Sequence, residues 1–177
     1  MNEHSATATG GTARVREKVR LRAAREEDAE VLATLHRAAF GAAGWDAEGI
    51  AKMLSVPGTE AMLALRAGEE ARPDPCGMVM GRLLGTDGEI LTLAVAPGLR
   101  RRGIGSRLLS ALMAGMAMQG AERIILEVAQ DNAAAIALYE RLHFQVMGKR
   151  PKYYASGRAA PVDALLMAHQ FNCGCGG

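Results

Sequence analysis

Aromatic side chains make up only 4% of this 177-residue chain, with a single Trp, three Tyr and three Phe. Its core must therefore be filled by alanine, leucine and the ten methionines rather than by stacked rings. Cysteine is scarce and odd in number, three in all, which excludes a disulfide scaffold. Cys173-Gly174-Cys175 offers two thiols without the two further ligands a closed metal site needs, so no metal is expected. Neither sign of charge dominates: a net charge of +2 is too mild for nucleic-acid binding. No apolar stretch approaches the roughly eighteen residues of a membrane helix, and the polar start lacks the apolar centre of a signal peptide. The expectation is a cytoplasmic protein, monomeric or weakly dimeric, with no membrane partner. Residues 1–16, rich in Thr, Ala, Gly and Ser, read as a disordered leader. Residues 17–171 read as one domain, and 172–177 as a flexible tail.

What the chain does have is a junction between Leu91 and Leu109. Leu91, Leu93 and Val95 alternate with Thr92, Ala94 and Ala96, then Pro97-Gly98 ends the run as a turn ends a strand. From Gly103 onward Ile104, Leu108, Leu109, Leu112, Met113 and Met116 recur at spacings of three and four, predicting a helix that breaks at Gly120. The helix therefore opens inside the basic, glycine-punctuated turn Arg100-Arg101-Arg102-Gly103-Ile104-Gly105. The first N–H groups of a helix have no internal partner and carry the positive end of its dipole, so they favour an anion. Glycines let a phosphate approach those amides closely. A solvated basic run at an ordinary helix start is the plainer alternative.

Two familiar phosphate signatures do not fit. A P-loop needs Gly-Lys-Ser/Thr, whereas Gly105-Ser106-Arg107 has no lysine. A dinucleotide fold needs a third glycine where Leu108 stands.

The following segment, Arg123 to Phe144, reads as a strand with Ile124, Leu126 and Val128 on one face and Arg123, Ile125 and Glu127 on the other. A helix follows, capped by Asp131 or Asn132, with Ile136, Tyr139 and Leu142 inward. Glu127 near the strand end and Tyr139 on the helix are placed so that they can converge on one cleft. By position alone, Glu127 also reads as a solvent-facing strand residue and Tyr139 as a half-buried core aromatic.

The turn matches Arg/Gln-x-x-Gly-x-Gly/Ala, and Leu126-Glu127-Val128 is followed by Asn132-x-x-Ala135-x-x-Leu138-Tyr139 and Phe144. Together these motifs resemble the GNAT superfamily of acyl-CoA N-acyltransferases, and within it the RimI-type ribosomal-protein alanine N-acetyltransferases. The likeness extends to Arg150-Pro151-Lys152-Tyr153-Tyr154 and Asp163-Ala164-Leu165-Leu166-Met167, and more loosely to Phe40 through Trp45. It implies an α/β (α+β) fold: a mixed, mostly antiparallel sheet of about seven strands, splayed between the fourth and fifth, with about four helices.

The resemblance also implies acetyl-CoA as cosubstrate, without metal, and an acceptor that is a protein N-terminus or a small amine. Leu93, Ala94 and Val95 match the strand that holds acetyl and pantetheine. Arg101, Arg102, Gly103, Ile104, Gly105 and Ser106 match the pyrophosphate loop, and Asn132 a further cofactor contact. Glu127 matches the general base and Tyr139 the general acid. An α-amine titrates near 7.7–8.0, so an ordinary carboxylate suffices as its base. A phenol near 10 giving its proton to a thiolate of about 8.5 runs uphill by about 2 kcal/mol, so Tyr139 is expected to hydrogen-bond the leaving sulfur. Departures are Ser106 for a common arginine, Val162 for a common acidic residue, and His143 for a glycine. The last reads as a left-handed helix C-cap. Trp45 either lines the acceptor groove or packs beneath its loop. Three functions stay open: N-terminal acetyltransferase, small-amine acetyltransferase, and a catalytically idle acyl-CoA-binding regulator.

The remaining elements are expected as a strand at Val19–Leu21 and a helix opened by Glu26-Glu27-Asp28 with Val31, Leu32, Leu35 and Phe40 on its apolar face. A helix over Ala47–Leu54 follows, then strands over Thr59–Leu65 and Cys76–Leu84 around a polar loop, Ala67–Pro75. Strands over Gln145–Tyr154 and Val162–Gln170, joined at Ser156-Gly157, complete the order.

Overall fold

The computed structural model describes residues 19–67, 73–155 and 160–171; the expected leader, the Cys173/Cys175 tail and the Ser156-Gly157 turn lie outside them. Seven strands form one sheet in the order β1-β2-β3-β4-β5-β7-β6. In chain order they are β1 (Val19–Ala23), β2 (Thr59–Ala67), β3 (Pro73–Leu84), β4 (Asp87–Val95), β5 (Arg123–Ala129), β6 (Gln145–Tyr154) and β7 (Val162–Gln170). Four helices flank them: α1 (Ala29–Phe40), α2 (Ala47–Leu54), α3 (Ile104–Met118) and α4 (Ala133–Arg141). This is the mixed sheet the sequence implied.

The sheet divides the interior into two cores. On one face, Ile104, Leu108, Leu109, Leu112, Met113 and Met116 of α3, the six residues expected there, pack with Ile124, Leu126 and Val128 of β5 and Tyr139 of α4. On the other, Leu32 and Leu35 of α1 and Ile50 of α2 pack on Leu63, Met78, Met80 and Ala94. Methionine fills both cores, as the shortage of aromatics required.

Every neighbouring strand pair is antiparallel except β4 and β5, and that parallel ladder holds only Asp87↔Arg123, Gly88↔Ile124 and Glu89↔Ile125. Beyond Glu89 the two strands part, and among the described residues their facing edges have no ladder partner. Arg123 closes the base of the split through a two-toothed ion pair to Asp87, at 3.2 and 2.7 Å.

β4 also carries a bulge. Met80 pairs with Thr92 and Gly81 with Ile90, leaving Leu91 unopposed. The extra residue changes which way the strand faces. Gly88 and Ile90 turn to the α3 core before it, and Leu93 and Val95 after it, while Leu91, Thr92 and Ala94 turn to the α1 side. The even alternation expected for Leu91, Leu93 and Val95 is thus broken at its first member.

Three further differences have local causes. Glu26–Asp28 forms a 3-10 turn ahead of α1, with the Asp28 carboxylate accepting from Arg25 N–H (2.9 Å) and pairing with Arg22 (2.6 Å). Phe40 is 46% exposed, and His36 takes the core place expected of it, one turn earlier on the stripe set by Leu32 and Leu35. β3 begins at Pro73 rather than Cys76, pairing Ala67↔Pro73 and Leu65↔Pro75. Both prolines lie beyond the last β4 partner, Gly77, where a missing N–H costs no second ladder bond.

Candidate active site

The basic turn takes the shape its glycines suggested. Arg101 and Gly103 both have left-handed backbone, φ 62° and 81°, and Gly103 is the N-cap of α3. No side chain caps this helix, and its first turn carries no acidic residue, so the N–H groups of Ile104, Gly105 and Ser106 point outward unanswered by either. A Cβ placed on Gly103 would meet nothing within 4 Å, whereas one on Gly105 would touch Leu138 at 3.5 Å, Val95 at 3.6 Å and Leu93 at 3.8 Å. The loop, the end of β4 and α4 therefore share one small space at the mouth of the split. Arg100 braces the turn by donating to the Val95 carbonyl (3.3 Å), and Arg107 ties α3 to β1 through the Val19 carbonyl (2.7 Å). Such an array of outward-pointing amides with adjacent cationic side chains suits a phosphate group.

Asn132 is the N-cap of α4, its side-chain oxygen accepting from Ala135 N–H at 3.2 Å, and His143 closes that helix with φ 62°, the left-handed conformation expected of it. Tyr139 is 8% exposed inside the α3 core, its ring 5.8 Å from that of Phe144. Burial, with a lesser contribution from Tyr154 nearby, pushes its phenol up to about 12. It stays protonated across the working range of any such enzyme.

Glu127 sits on the opposite face of β5, because its neighbours Leu126 and Val128 take the α3 side. The two candidate catalytic residues thus approach the split from its two faces rather than from one wall. Tyr154 acts on both: its hydroxyl donates to the Glu127 carbonyl (3.4 Å), and its phenol adds to the rise of Tyr139's.

β6 supplies partners that the sequence flagged as a segment without giving them roles. Arg150 donates to Glu127 Oε1 at 2.6 Å and lies 4.5 Å over the Tyr153 ring. The same carboxylate acts on Tyr153 and raises its phenol above the usual range. A wide bulge makes this possible: Arg150 pairs with Ala164 and Tyr154 with Val162, three β6 residues standing against Asp163 alone. Asp163 holds the bulge by accepting from Lys152 N–H (2.8 Å), at a φ of 55°, and by pairing with Lys149 (2.8 Å). The hydrogen bond from Lys149, then that from the Lys152 N–H, hold its carboxyl below the usual carboxylate range.

On Glu127's face lies His36, which sequence reading missed. It is 3% exposed, and both ring nitrogens are used: Nδ1 accepts from Trp45 N–H (2.9 Å), so the proton is on Nε2, which donates to Thr92 Oγ1 (3.1 Å). Its ring stacks on Trp45 at 4.4 Å and 12° and meets Phe40 at 4.4 Å. The available signal was its spacing of four and one from Leu32 and Leu35. Burial lowers its pKa from 6.5 to about 4. The unfolded chain therefore takes up a proton near 6.5 that the folded chain refuses until about 4, and stability falls as pH drops through that window. Urea unfolding at pH 7 and pH 4.5 should show wild type losing about 2 kcal/mol more than His36→Phe.

No group of three or more metal-ligating side chains occurs among the described residues. None of their helices is long and apolar enough to cross a membrane.

Curated relatives match about half of this chain. An N-alpha-acetyltransferase of Saccharolobus solfataricus is 44% identical over 82 residues, 46% of this chain and 47% of that protein. The [ribosomal protein bS18]-alanine N-acetyltransferase of Salmonella typhimurium is 40% identical over 79 residues, 45% of this chain and 53% of that one. The N-alpha-acetyltransferase RimI of Mycobacterium tuberculosis is 41% identical over 88 residues, 50% and 52%. The chain spans about half the length of the curated relatives it matches. Among solved structures, the ribosomal-protein-S18-alanine N-acetyltransferase of Escherichia coli superposes with TM-score 0.75 at 24% identity, over 86% of this chain and 94% of that one. NAA60 of Arabidopsis thaliana in complex with acetyl-CoA does so with TM-score 0.73 at 21% identity, over 88% and 99%. These last two likenesses carry the fold. The model of the acetyltransferase (GNAT) family matches residues 24–144, well over half of the chain, and to that family this protein belongs.

Proposed function

We propose that the chain is an acetyl-CoA-dependent N-acetyltransferase that modifies the free α-amino group of a protein N-terminus, with the N-terminal alanine of a small-subunit ribosomal protein as the first acceptor to test. The observation that carries the chemistry is the parting of β4 from β5 beside the glycine-opened start of α3, with Glu127 on one face of the split and Tyr139 on the other. The acceptor class is supported by relatives of 40–44% identity that are named for N-alpha or alanine N-acetyl transfer.

The residues fit the cosubstrate. The N–H groups of Ile104, Gly105 and Ser106, with Arg101 and Arg102 at the rim, hold the pyrophosphate, and the unladdered edge of Leu93, Ala94 and Val95 holds the pantetheine arm and acetyl carbonyl. Asn132, whose cap uses only the oxygen of its carboxamide, can add a donor. Acetyl-CoA supplies a thioester for the amine to attack. A backbone amide of β4 aimed at the thioester oxygen stabilises the negative charge that develops there. Glu127 receives the amine's proton, directly or through one water.

Tyr139 works as a hydrogen-bond donor to the departing sulfur. With its phenol at about 12, full transfer to a thiolate of about 8.5 would run uphill by about 5 kcal/mol. Tyr139→Phe removes that bond while keeping the ring in the core. It should lower kcat about tenfold, the worth of one hydrogen bond to a developing charge, and leave the KM for acetyl-CoA within about twofold. Steady-state kinetics with each substrate varied in turn checks both values.

Incubation with acetyl-CoA and a panel of alanine-starting ribosomal N-termini, blocked lysine peptides and small amines, read by mass spectrometry, tests the proposal. Acetyl on a free α-amine is expected. Transfer only to small amines would place the acceptor in that class instead, and acetyl-CoA binding with no transfer would make the protein a regulator.

A further inference from the structure

The two cores give the two substrates separate approaches. The uncapped start of α3 lies on the α3 face of the sheet, and so do Leu93, Val95 and Leu138 around Gly105. Glu127 lies on the other face, and an amine that yields its proton to Glu127 must come from that side. The wall available there between α1 and α2 is the segment from Phe40 to Trp45, where Phe40 is exposed and Trp45 half-buried.

One residue joins that wall to the strand assigned to acetyl. His36 accepts from the Trp45 main chain, donates to Thr92 and is sandwiched between the Trp45 and Phe40 rings. Thr92 follows the unopposed Leu91 and directly precedes Leu93. The bulge is what turns the Thr92 hydroxyl to the α1 side to meet the imidazole. Trp45 and Thr92 are therefore held through a single buried ring with both of its nitrogens committed.

We infer that His36 is a positioning residue for acceptor binding: it fixes the Phe40–Trp45 wall against the Thr92–Val95 edge of β4 and so sets the width of the acceptor side of the cleft. It touches neither substrate. The inference rests on the proposed acetyl transfer, with the acceptor entering on the face of Glu127. Phe40 and Trp45 form the apolar lining, which suits the first side chains of an extended peptide better than a polyamine.

His36→Phe keeps a ring between Trp45 and Phe40 and removes both hydrogen bonds. His36→Asn restores an acceptor close to the place of Nδ1, and Thr92→Val removes the partner of Nε2 without changing side-chain shape. The KM for the amine should rise at least fivefold in His36→Phe, while kcat and the KM for acetyl-CoA stay within twofold. His36→Asn should recover most of the loss, and Thr92→Val should show a smaller rise of the same kind. Emission from Trp45, the sole tryptophan, should shift in His36→Phe and return in His36→Asn. An unchanged amine KM in His36→Phe overturns the inference. So does a parallel loss in both KM values, kcat and thermal midpoint that His36→Asn does not repair, because that is the mark of a merely structural histidine. The wild type's choice of acceptor tests the proposed function, whereas the ratio of variant to wild type on whichever amine is used tests His36, so each can fail without the other.

Discussion

Glu127→Gln lowers kcat/KM for an α-amine peptide by about 10²-fold, the usual worth of a positioned general base, and the loss deepens as pH falls. The glutamine keeps an oxygen for Arg150, so the side chain holds its place and only its basicity is lost. An α-amine titrates near 7.7–8.0. Below that range most of the acceptor is ammonium, which the carboxylate can deprotonate and the amide cannot. Above it the amine arrives neutral, and the two enzymes draw closer. Rates of both between pH 6.5 and 9 on one peptide check the prediction. A ratio near one at pH 6.5 would remove Glu127 from the chemistry and return it to the role of an ion-pair partner for Arg150.

Gly103→Val has the second-largest expected effect, and it falls on cosubstrate binding alone. A β-branched residue at φ 81° is strained by about 2 kcal/mol, and relief of that strain turns the backbone out of the conformation that aims the α3 amides. Nothing packs on the position, so neither core need move. The Kd for acetyl-CoA should rise about 30-fold, that strain expressed as an equilibrium constant, with the thermal midpoint nearly unchanged. Calorimetric titration alongside thermal melts checks both. A Kd equal to that of wild type would mean that the phosphates lie elsewhere.

Much of this was legible in the chain because several signals were local. α2, β6 and β7 run as their periodicity and turn residues set them out, and the glycine turn, the inward face of α3 and the left-handed His143 could be read from spacing and cap chemistry. The features that escaped depend on contacts between segments far apart in sequence. His36 looks like one more polar residue on a mixed helix until Thr92, 56 positions on, supplies its partner. Pro73 and Pro75 read as loop because nothing local announces that β4 stops short of them. The grip of β6 on Glu127 depends on Asp163 holding a bulge across the hairpin, which no pattern within β6 encodes. Spacing suggests that Glu127 and Tyr139 can meet at one cleft, but that they lie on opposite faces of β5 needed the phase of that strand against both cores.

Leu91 is the odd residue in β4's count, and that makes it the one interior position whose loss leaves the strand's two surfaces as they are. Without it Ile90 would be followed by Thr92 in plain alternation, Leu93 and Val95 would stay beneath α3, and Thr92 and Ala94 would stay on the side of His36. Removing Leu93 instead would turn Ala94 toward α3 and Val95 toward α1, exchanging the surfaces of the strand's end. A deletion in the exposed turn at Gly85-Thr86 alters only a loop. Loss of a residue from β4 therefore spares its facing at Leu91 and at the hairpin end, and nowhere between them.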